Sequence, residues 1–210
     1  MILHGYWRSG AAYRVRIALA LKGLAYEQAN HDLRTGAQAA PDYAALNPQR
    51  LVPALEVDGL VLTQSGAIIE WLEERYPDPP LLPADADGRA IVRAMAATVG
   101  ADTHPLHNLR VLTALRRDLG ADETQVQAWI ARWLTDGLAA LETAVERHGA
   151  GFAYGERPTM ADCFIVPALY SAERFGVDPT PYPRVAAAGQ TILALTPEAH
   201  PNRQPDADPA

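Results

Sequence analysis

The segment Trp7-Arg8-Ser9-Gly10-Ala11-Ala12-Tyr13-Arg14-Val15-Arg16-Ile17-Ala18-Leu19 follows a short apolar start, Met1 to Tyr6, and runs on to Lys22-Gly23. An apolar run, then Ser-Gly, then an Ala/Leu/Ile-rich stretch reads as strand, turn and helix. That order puts Ser9 near a helix N-terminus, where unpaired backbone N–H groups and the positive end of the helix dipole favour an anion. A serine hydroxyl can donate one more hydrogen bond there, and a thiolate would be such an anion. The position equally suits a serine that only caps the helix, and the segment alone leaves both readings open.

Two further segments leave backbone or hydroxyl groups free in the same way. Leu51-Val52-Pro53-Ala54-Leu55-Glu56-Val57-Asp58-Gly59 is strand-like but contains a proline, which cannot donate to a sheet ladder and belongs at an edge or a turn. The backbone of Val52 is thereby open to pair with a peptide-like ligand. Most X-Pro bonds are trans, so sequence gives no reason to expect a cis bond before Pro53. In Leu62-Thr63-Gln64-Ser65-Gly66-Ala67-Ile68-Ile69-Glu70, a strand from Leu60 to Thr63 meets a helix from Ala67 to Arg75. Gln64 and Ser65 then stand at a second helix N-terminus, suited to a carboxylate. Asp58-Gly59 reads as the hairpin turn joining the two strands.

With 210 residues, 49% of them hydrophobic, the chain can build one large domain or two small ones. A single cysteine, Cys163, excludes an intramolecular disulfide and fits a reducing cytosol. On the apolar face after Met160 it reads as an inert core thiol. No basic segment precedes an apolar run at the start, and no apolar stretch approaches ~20 residues, so neither secretion nor membrane spanning is expected and the protein is read as cytoplasmic. A net charge of −7 argues against nucleic acid as a partner. The histidines lack zinc-type spacing, and neither glycine-rich nucleotide signature is present, so no metal or nucleotide is expected.

The run Pro77-Asp78-Pro79-Pro80-Leu81-Leu82-Pro83 stops the preceding helix and makes a stiff connector. It divides an expected first domain, 1–83, from a second, 84–210, in which Arg89 to Leu119 and Glu123 to His148 carry apolar residues at helical spacing. Trp129 and Trp133 fall on the apolar side of the longer stretch. Thr159-Met160-Ala161-Asp162, with Pro158 ahead of it, has the form of a capping box. Four prolines between Thr196 and Ala210 imply an extended tail.

Taken together, these segments resemble the thioredoxin-like glutathione-binding domain of the soluble glutathione transferases, within them the zeta class, whose members include maleylacetoacetate and maleylpyruvate isomerases. The match is carried by Arg14-Val15-Arg16-Ile17-Ala18-Leu19, by Asn47 to Leu55 and by Thr63 to Leu72. It extends through His104-Pro105-Leu106-His107-Asn108-Leu109-Arg110-Val111-Leu112 to the Pro/Gln-rich tail near His200 to Asp206. The fold implied is the soluble glutathione transferase fold, an α/β N-terminal thioredoxin-like domain plus an all-α C-terminal domain. The resemblance further implies a homodimer in which the first domain of one subunit pairs with the second domain of its neighbour.

The activity implied is glutathione-dependent cis–trans isomerisation of a maleyl dicarboxylate in aromatic compound degradation. Glutathione would act as a cofactor whose thiolate, held by Ser9 and the helix N-terminus, adds to the maleyl double bond and is later eliminated. The cofactor residues implied are Ser9, Gln38, Val52, Pro53, Gln64, Ser65, His104 and Asn108; His104 also suits a plain helix-start role. Two substrate carboxylates call for local positive charge in an acidic protein, and planar guanidinium groups supply it in bidentate form. Arg8, Arg110 and Arg174 are the implied substrate residues, although any one of them also suits a solvated surface charge. Arg14 and Arg16 lie on the helix body, where pairing within the fold is expected. Many zeta-class members read Ser-Ser-Cys where this chain reads Ser9-Gly10-Ala11. Trp7-Arg8-Ser9-Gly10 is similar instead to maleylpyruvate isomerases, which favours maleylpyruvate over maleylacetoacetate. A glutathione-dependent dehalogenase or peroxidase, and a non-catalytic glutathione-binding module, are the alternatives.

Overall fold

The computed structural model describes residues 1–208; Pro209 and Ala210, the end of the expected tail, lie outside the described residues. The chain forms two compact units, one comprising Met1–Leu81 and the chain from Leu193 onward, the other Leu82–Ile192.

In the first unit a four-stranded sheet is built from β1 (Ile2–Gly5), β2 (Glu27–Asn30), β3 (Ala54–Val57) and β4 (Leu60–Thr63), in the order β2-β1-β3-β4. β1 and β2 run parallel, with Leu3 opposite Gln28, and α1 (Gly10–Leu21) is the crossover that a parallel pair requires. β3 lies antiparallel to β1, with Leu3 opposite Leu55, and β4 antiparallel to β3, with Leu55 opposite Leu62. Between β3 and β4, Asp58 and Gly59 both take positive φ, 50° and 80°, the two-residue turn whose twist suits a hairpin. α1 buries Tyr13, Val15, Ile17 and Leu19, and α3 (Ser65–Arg75) buries Ile68, Ile69 and Leu72. The short α2 (Pro41–Leu46) starts on a proline, whose missing N–H costs nothing at that position.

The only lysine of the chain closes this unit. Lys22 caps the C-terminus of α1, and its Nζ donates to Glu73 Oε2 at 2.8 Å, Tyr76 O at 2.7 Å and Pro79 O at 3.0 Å. Three acceptors around one compact ammonium is a geometry that the planar fork of arginine does not match. The pair is buried and thereby fixes the start of the connector against α1 and α3.

The end of the chain departs from the expected assignment to the helical domain. From Leu193 it returns to the first unit, and in place of an extended tail it forms tight turns at Pro197–Ala199 and Pro201–Arg203. The buried Arg16 guanidinium provides the physical reason: its Nε donates to Ala199 O at 2.9 Å and its Nη2 to Trp7 O at 3.0 Å. Asp206 accepts from Trp7 N and Gln28 Nε2, Asp208 from Arg34, and Ala207 packs on the Tyr6, Trp7, Tyr43 and Val52 cluster.

The second unit holds α4 (Ala86–Ala97), α5 (Leu109–Arg117), α6 (Glu123–His148), α7 (Met160–Arg174) and α8 (Pro183–Leu195) as far as Ile192. α6 opens on a reciprocal capping box between Asp122 and Gln125. It buries Val126, Ile130, Leu134, Leu138, Leu141 and Val145, one face at three-to-four spacing. Leu112, Phe175 and Val177 complete one of its clusters. The long helix expected over Arg89 to Leu119 is broken. After α4 come a wide turn, Thr98–Thr103, and a tight turn, His104–His107, before Asn108 caps α5. Pro105 has no N–H to continue an α-helical ladder, and the Thr103 hydroxyl donates to Thr98 O at 2.7 Å. A side chain at Gly137 of α6 would collide with that same hydroxyl.

The expected box at Thr159 also forms. Asp162 is buried and accepts from Thr159 N, Thr159 Oγ1 and Ala153 N, each within 2.9 Å. Burial nevertheless pushes its carboxyl up to about 6. Cys163 is fully buried beside it, as the core reading required.

Candidate active site

Strand register brings the three segments of the first unit to one end of the sheet. His4 stands opposite Ala54, and Ala54 opposite Thr63. The chain leaving β1 toward Ser9, the Val52-Pro53 step ahead of β3, and the Gln64-Ser65 step after β4 therefore all emerge at the same edge. β2, parallel to β1, also exits there, and the chain after it carries Gln38.

Ser9 is the N-cap of α1, its Oγ accepting from Ala12 N at 3.2 Å and its own N–H donating to Tyr6 O at 2.9 Å. Capping uses a lone pair and leaves the hydroxyl proton available to a ligand. The two readings of Ser9 are thus compatible in one side chain. Arg8 stacks over Trp7, with 5.0 Å from guanidinium to ring centroid. Among the described residues no carboxylate is hydrogen-bonded to Arg8, and its buried Nε has no partner. The neighbouring Arg34, by contrast, is taken up by Asp32 and Asp208.

The loop ahead of β3 is held from one side only. Tyr43 Oη and Asn47 Nδ2 both donate to Leu51 O, at 2.6 and 2.7 Å, while neither the N–H nor the C=O of Val52 has a partner among the described residues. The Val52-Pro53 bond is cis, against the trans expectation for an X-Pro step. Gln38 lies in a short turn at Ala37–Ala39, with its Oε1 buried and unpaired.

At the third segment, Gln64 adopts φ 67°, ψ 115°, a left-handed backbone rare outside glycine, and Nε2 donates to Gln49 Oε1 at 2.7 Å. Ser65 is buried at the first position of α3 and accepts from Arg14 Nη1 at 3.2 Å. Arg14, expected to pair within the fold, does so with one of the expected ligand residues. Burial pushes its guanidinium down to about 9, which leaves it a cation at neutral pH.

In the second unit, His104 opens the tight turn, Asn108 follows it and Arg110 is exposed in the first turn of α5. The Asn108 side-chain oxygen serves as a cap, accepting from Val111 N at 3.1 Å, and its amide N–H groups remain for a ligand. Arg174, at the end of α7, lies 4.8 Å over the ring of Phe175, which approaches His107, which in turn meets His104 edge to face. The end of α7 and the His104–His107 turn are thereby neighbours. Trp129 Nε1 donates to Leu106 O at 2.7 Å and pins that turn to α6.

Comparison with known proteins places this arrangement. The N-terminal domain model of glutathione S-transferase matches residues 3–80, and the C-terminal domain model matches residues 127–187. The chain is 51% identical over 211 residues to the maleylacetoacetate isomerase of Pseudomonas aeruginosa, covering 98% of each chain. It superposes with a TM-score of 0.96 on the holo structure of a maleyl pyruvate isomerase, a bacterial zeta-class glutathione S-transferase, at 48% identity over 99% of this chain and 100% of that one. The maleylacetoacetate isomerase of Methylobacterium extorquens AM1, solved with bound malonate and GSH, gives 0.95 at 40% identity over all of both chains. Matched in order by both domain models, and half identical to such an enzyme along its length, the chain belongs to the glutathione S-transferase family, in its zeta class.

Proposed function

We propose that the protein is a glutathione-dependent cis–trans isomerase of a maleyl dicarboxylate, with maleylpyruvate preferred over maleylacetoacetate. The observation that carries it is the convergence at one sheet edge of a capping serine with a spare proton, an unpaired Val52 backbone and a buried serine at a second helix start. The polar groups present fit a tripeptide: the unpaired Val52 backbone, an unpaired acceptor at Gln38 and the hydroxyl proton of Ser65 are groups such a ligand needs. When bound, glutathione supplies a thiolate that adds to the maleyl double bond, leaving a single bond free to rotate before elimination returns the trans product.

The chain's own residues have separate tasks. Ser9 donates its hydroxyl proton to the sulfur while α1 directs its N-terminal N–H groups the same way. Val52, next to Pro53, pairs with the cysteinyl backbone. Gln64 and Ser65 hold the γ-glutamyl end, Gln38 reaches the glycine end, and His104 and Asn108 supply further donors. Arg8, Arg110 and Arg174 bind the substrate carboxylates and orient the reacting carbon. Arg8 supports this best, as a half-buried cation with no carboxylate hydrogen-bonded to it. The reading includes a cytoplasmic homodimer, supported by the family resemblance and by the exposed Leu60 and Val61 on the edge strand β4. An ultraviolet assay of maleylpyruvate and maleylacetoacetate side by side, with and without glutathione, tests it: turnover of either without glutathione, or of neither with it, sinks the assignment.

A further inference from the structure

We propose that His31 is a positioning residue for the Val52 backbone: acting through Tyr43, it holds the loop ahead of β3 in place while the pair His4 and His31 carries at most one positive charge, so that acid weakens glutathione binding. This rests on the glutathione-binding reading above.

Strand alternation puts His4 and Glu56 on one face of the sheet, since Glu56 stands opposite Ile2, two residues from His4. Glu56 Oε1 lies 2.6 Å from His4 Nε2, and His4 Nδ1 lies 2.9 Å from His31 Nε2. A carboxylate only accepts, so His4 Nε2 carries a proton. His4 Nδ1 then accepts from a neutral His31 or, when His4 is charged, donates to it. Both hydrogen bonds therefore survive the uptake of one proton, and Glu56 balances its charge. A second proton leaves His4 Nδ1 and His31 Nε2 both as donors, facing each other at hydrogen-bond distance. Their bond is lost and two like charges meet. The ionisable groups facing His31 are His4 from β1, with Glu56 from β3 behind it, and Tyr43 from α2, whose phenol burial keeps neutral. On its own segment, Asp32 is taken up by Arg34. Burial, and then the charge of His4, lower His31 from the ordinary 6.5, so the neutral arrangement is favoured above that value and is progressively lost as pH falls below it.

Tyr43 carries the consequence to the ligand site. Its ring is buried against both imidazoles, 4.2 Å from His31 and 5.6 Å from His4 between centroids. Its Oη donates to Leu51 O at 2.6 Å, one residue before Val52. The His31 backbone is fixed by its N–H bond to Gly5 O, so charging moves the side chain. An imidazolium that leaves His4 keeps its attraction for the aromatic face and draws Tyr43 with it. Leu51 O is then held by Asn47 alone, and Val52 is presented less firmly.

The test is calorimetric binding of S-methylglutathione, which has no thiol to titrate, to wild type, His31→Gln and Tyr43→Phe at about pH 8 and about pH 5, the span in which histidine changes charge. Wild type should bind about tenfold more weakly at the lower pH, the linkage expected of a one-unit change in pKa. His31→Gln keeps a donor to His4 and cannot take the second proton, so its affinity should be the same at both pH values. Tyr43→Phe keeps the ring without the hydroxyl, so it should bind more weakly than wild type at the higher pH and lose most of the pH dependence. That variant carries the test if circular dichroism shows His31→Gln unfolded. Wild type binding equally well at both pH values overturns the proposal. So does a tenfold drop retained in His31→Gln or in Tyr43→Phe, which would place the titration at another group. Wild type binding S-methylglutathione at neither pH overturns the glutathione reading itself.

Discussion

The backbone N–H of Trp7 donates to Asp206 Oδ2 over 3.2 Å, so the chain just ahead of Ser9 is held by residues close to the opposite end of the sequence. Asp206 also accepts from Gln28 on β2, which ties the same carboxylate to the sheet. Asp206→Ala should therefore lower stability by about 1.5 kcal/mol, the lower range for a hydrogen bond to a charged group, because the site is half-buried. It should also lower kcat by loosening the Trp7-to-Ser9 turn. Urea denaturation together with steady-state rates checks this; a variant indistinguishable from wild type in both would make the tail a passive covering.

Lys22 gives a second, larger expectation. Removing one member of a buried ion pair leaves the other charge without compensation, at a cost of about 3–5 kcal/mol. Lys22→Met takes the ammonium away from Glu73, which is 7% exposed and keeps the Leu81 N–H, and from two carbonyls. Denaturant unfolding should register most of that loss. Stability within about 1 kcal/mol of wild type, the range of exposed pairs, would show that the connector is not anchored there.

The placement of these partners marks the limit of what could be read along the chain. The strand-turn-helix around Ser9, the Asp58-Gly59 hairpin and the Thr159 and Asp162 box were all legible, because each depends on residues within a few positions of one another. The Arg14 contact with Ser65 was not, since two residues 51 apart meet only once the register of β1, β3 and β4 is set. The wide turn at Thr98–Thr103 was masked by apolar spacing that continues across it, and only Pro105 hinted at a break. The return of the tail depends on acceptors for the buried Arg16, a requirement that no local pattern expresses. Of the expected site, the roles of Ser9, Val52, Gln64 and Ser65 rested on local backbone logic, whereas those of His104, Asn108, Arg110 and Arg174 came from family resemblance alone.

Asp162 makes stability depend on pH in a predictable direction. Its folded value, about 6, lies above the ordinary 3.8, so the folded state holds the proton more tightly. Stability from this group is present below about 4 and is lost as pH rises through about 6. Asp162→Asn removes the titration, so the gap in unfolding free energy between wild type and variant should shift against wild type between pH 4 and pH 7. A gap constant across that window would mean that the three hydrogen bonds to Asp162 outweigh its desolvation.

Substrate charge is tested at the arginines. Arg8→Met and Arg110→Met should each raise KM for maleylpyruvate roughly ten- to a hundredfold, the value of a charged hydrogen bond of about 1.5–3 kcal/mol. Glutathione affinity should stay near wild type in both. A neutral diester analogue should not distinguish the variants from the parent protein. If the substitutions weaken glutathione binding and spare the substrate KM, the arginines belong to the cofactor site and the dicarboxylate assignment loses its support from side chains.

The most direct measurement is kcat for maleylpyruvate isomerisation by Ser9→Ala at saturating glutathione, with the glutathione dissociation constant determined on the same sample. Removing one preorganised donor to a reacting anion costs about 2.7–4 kcal/mol of barrier, so kcat should fall about a hundred- to a thousandfold. Loss of the cap to Ala12 N should lower stability by about 1 kcal/mol, leaving the protein folded and its glutathione affinity largely intact. A kcat within a few-fold of wild type would contradict the account, because the backbone amides of α1 would then suffice without the Ser9 hydroxyl.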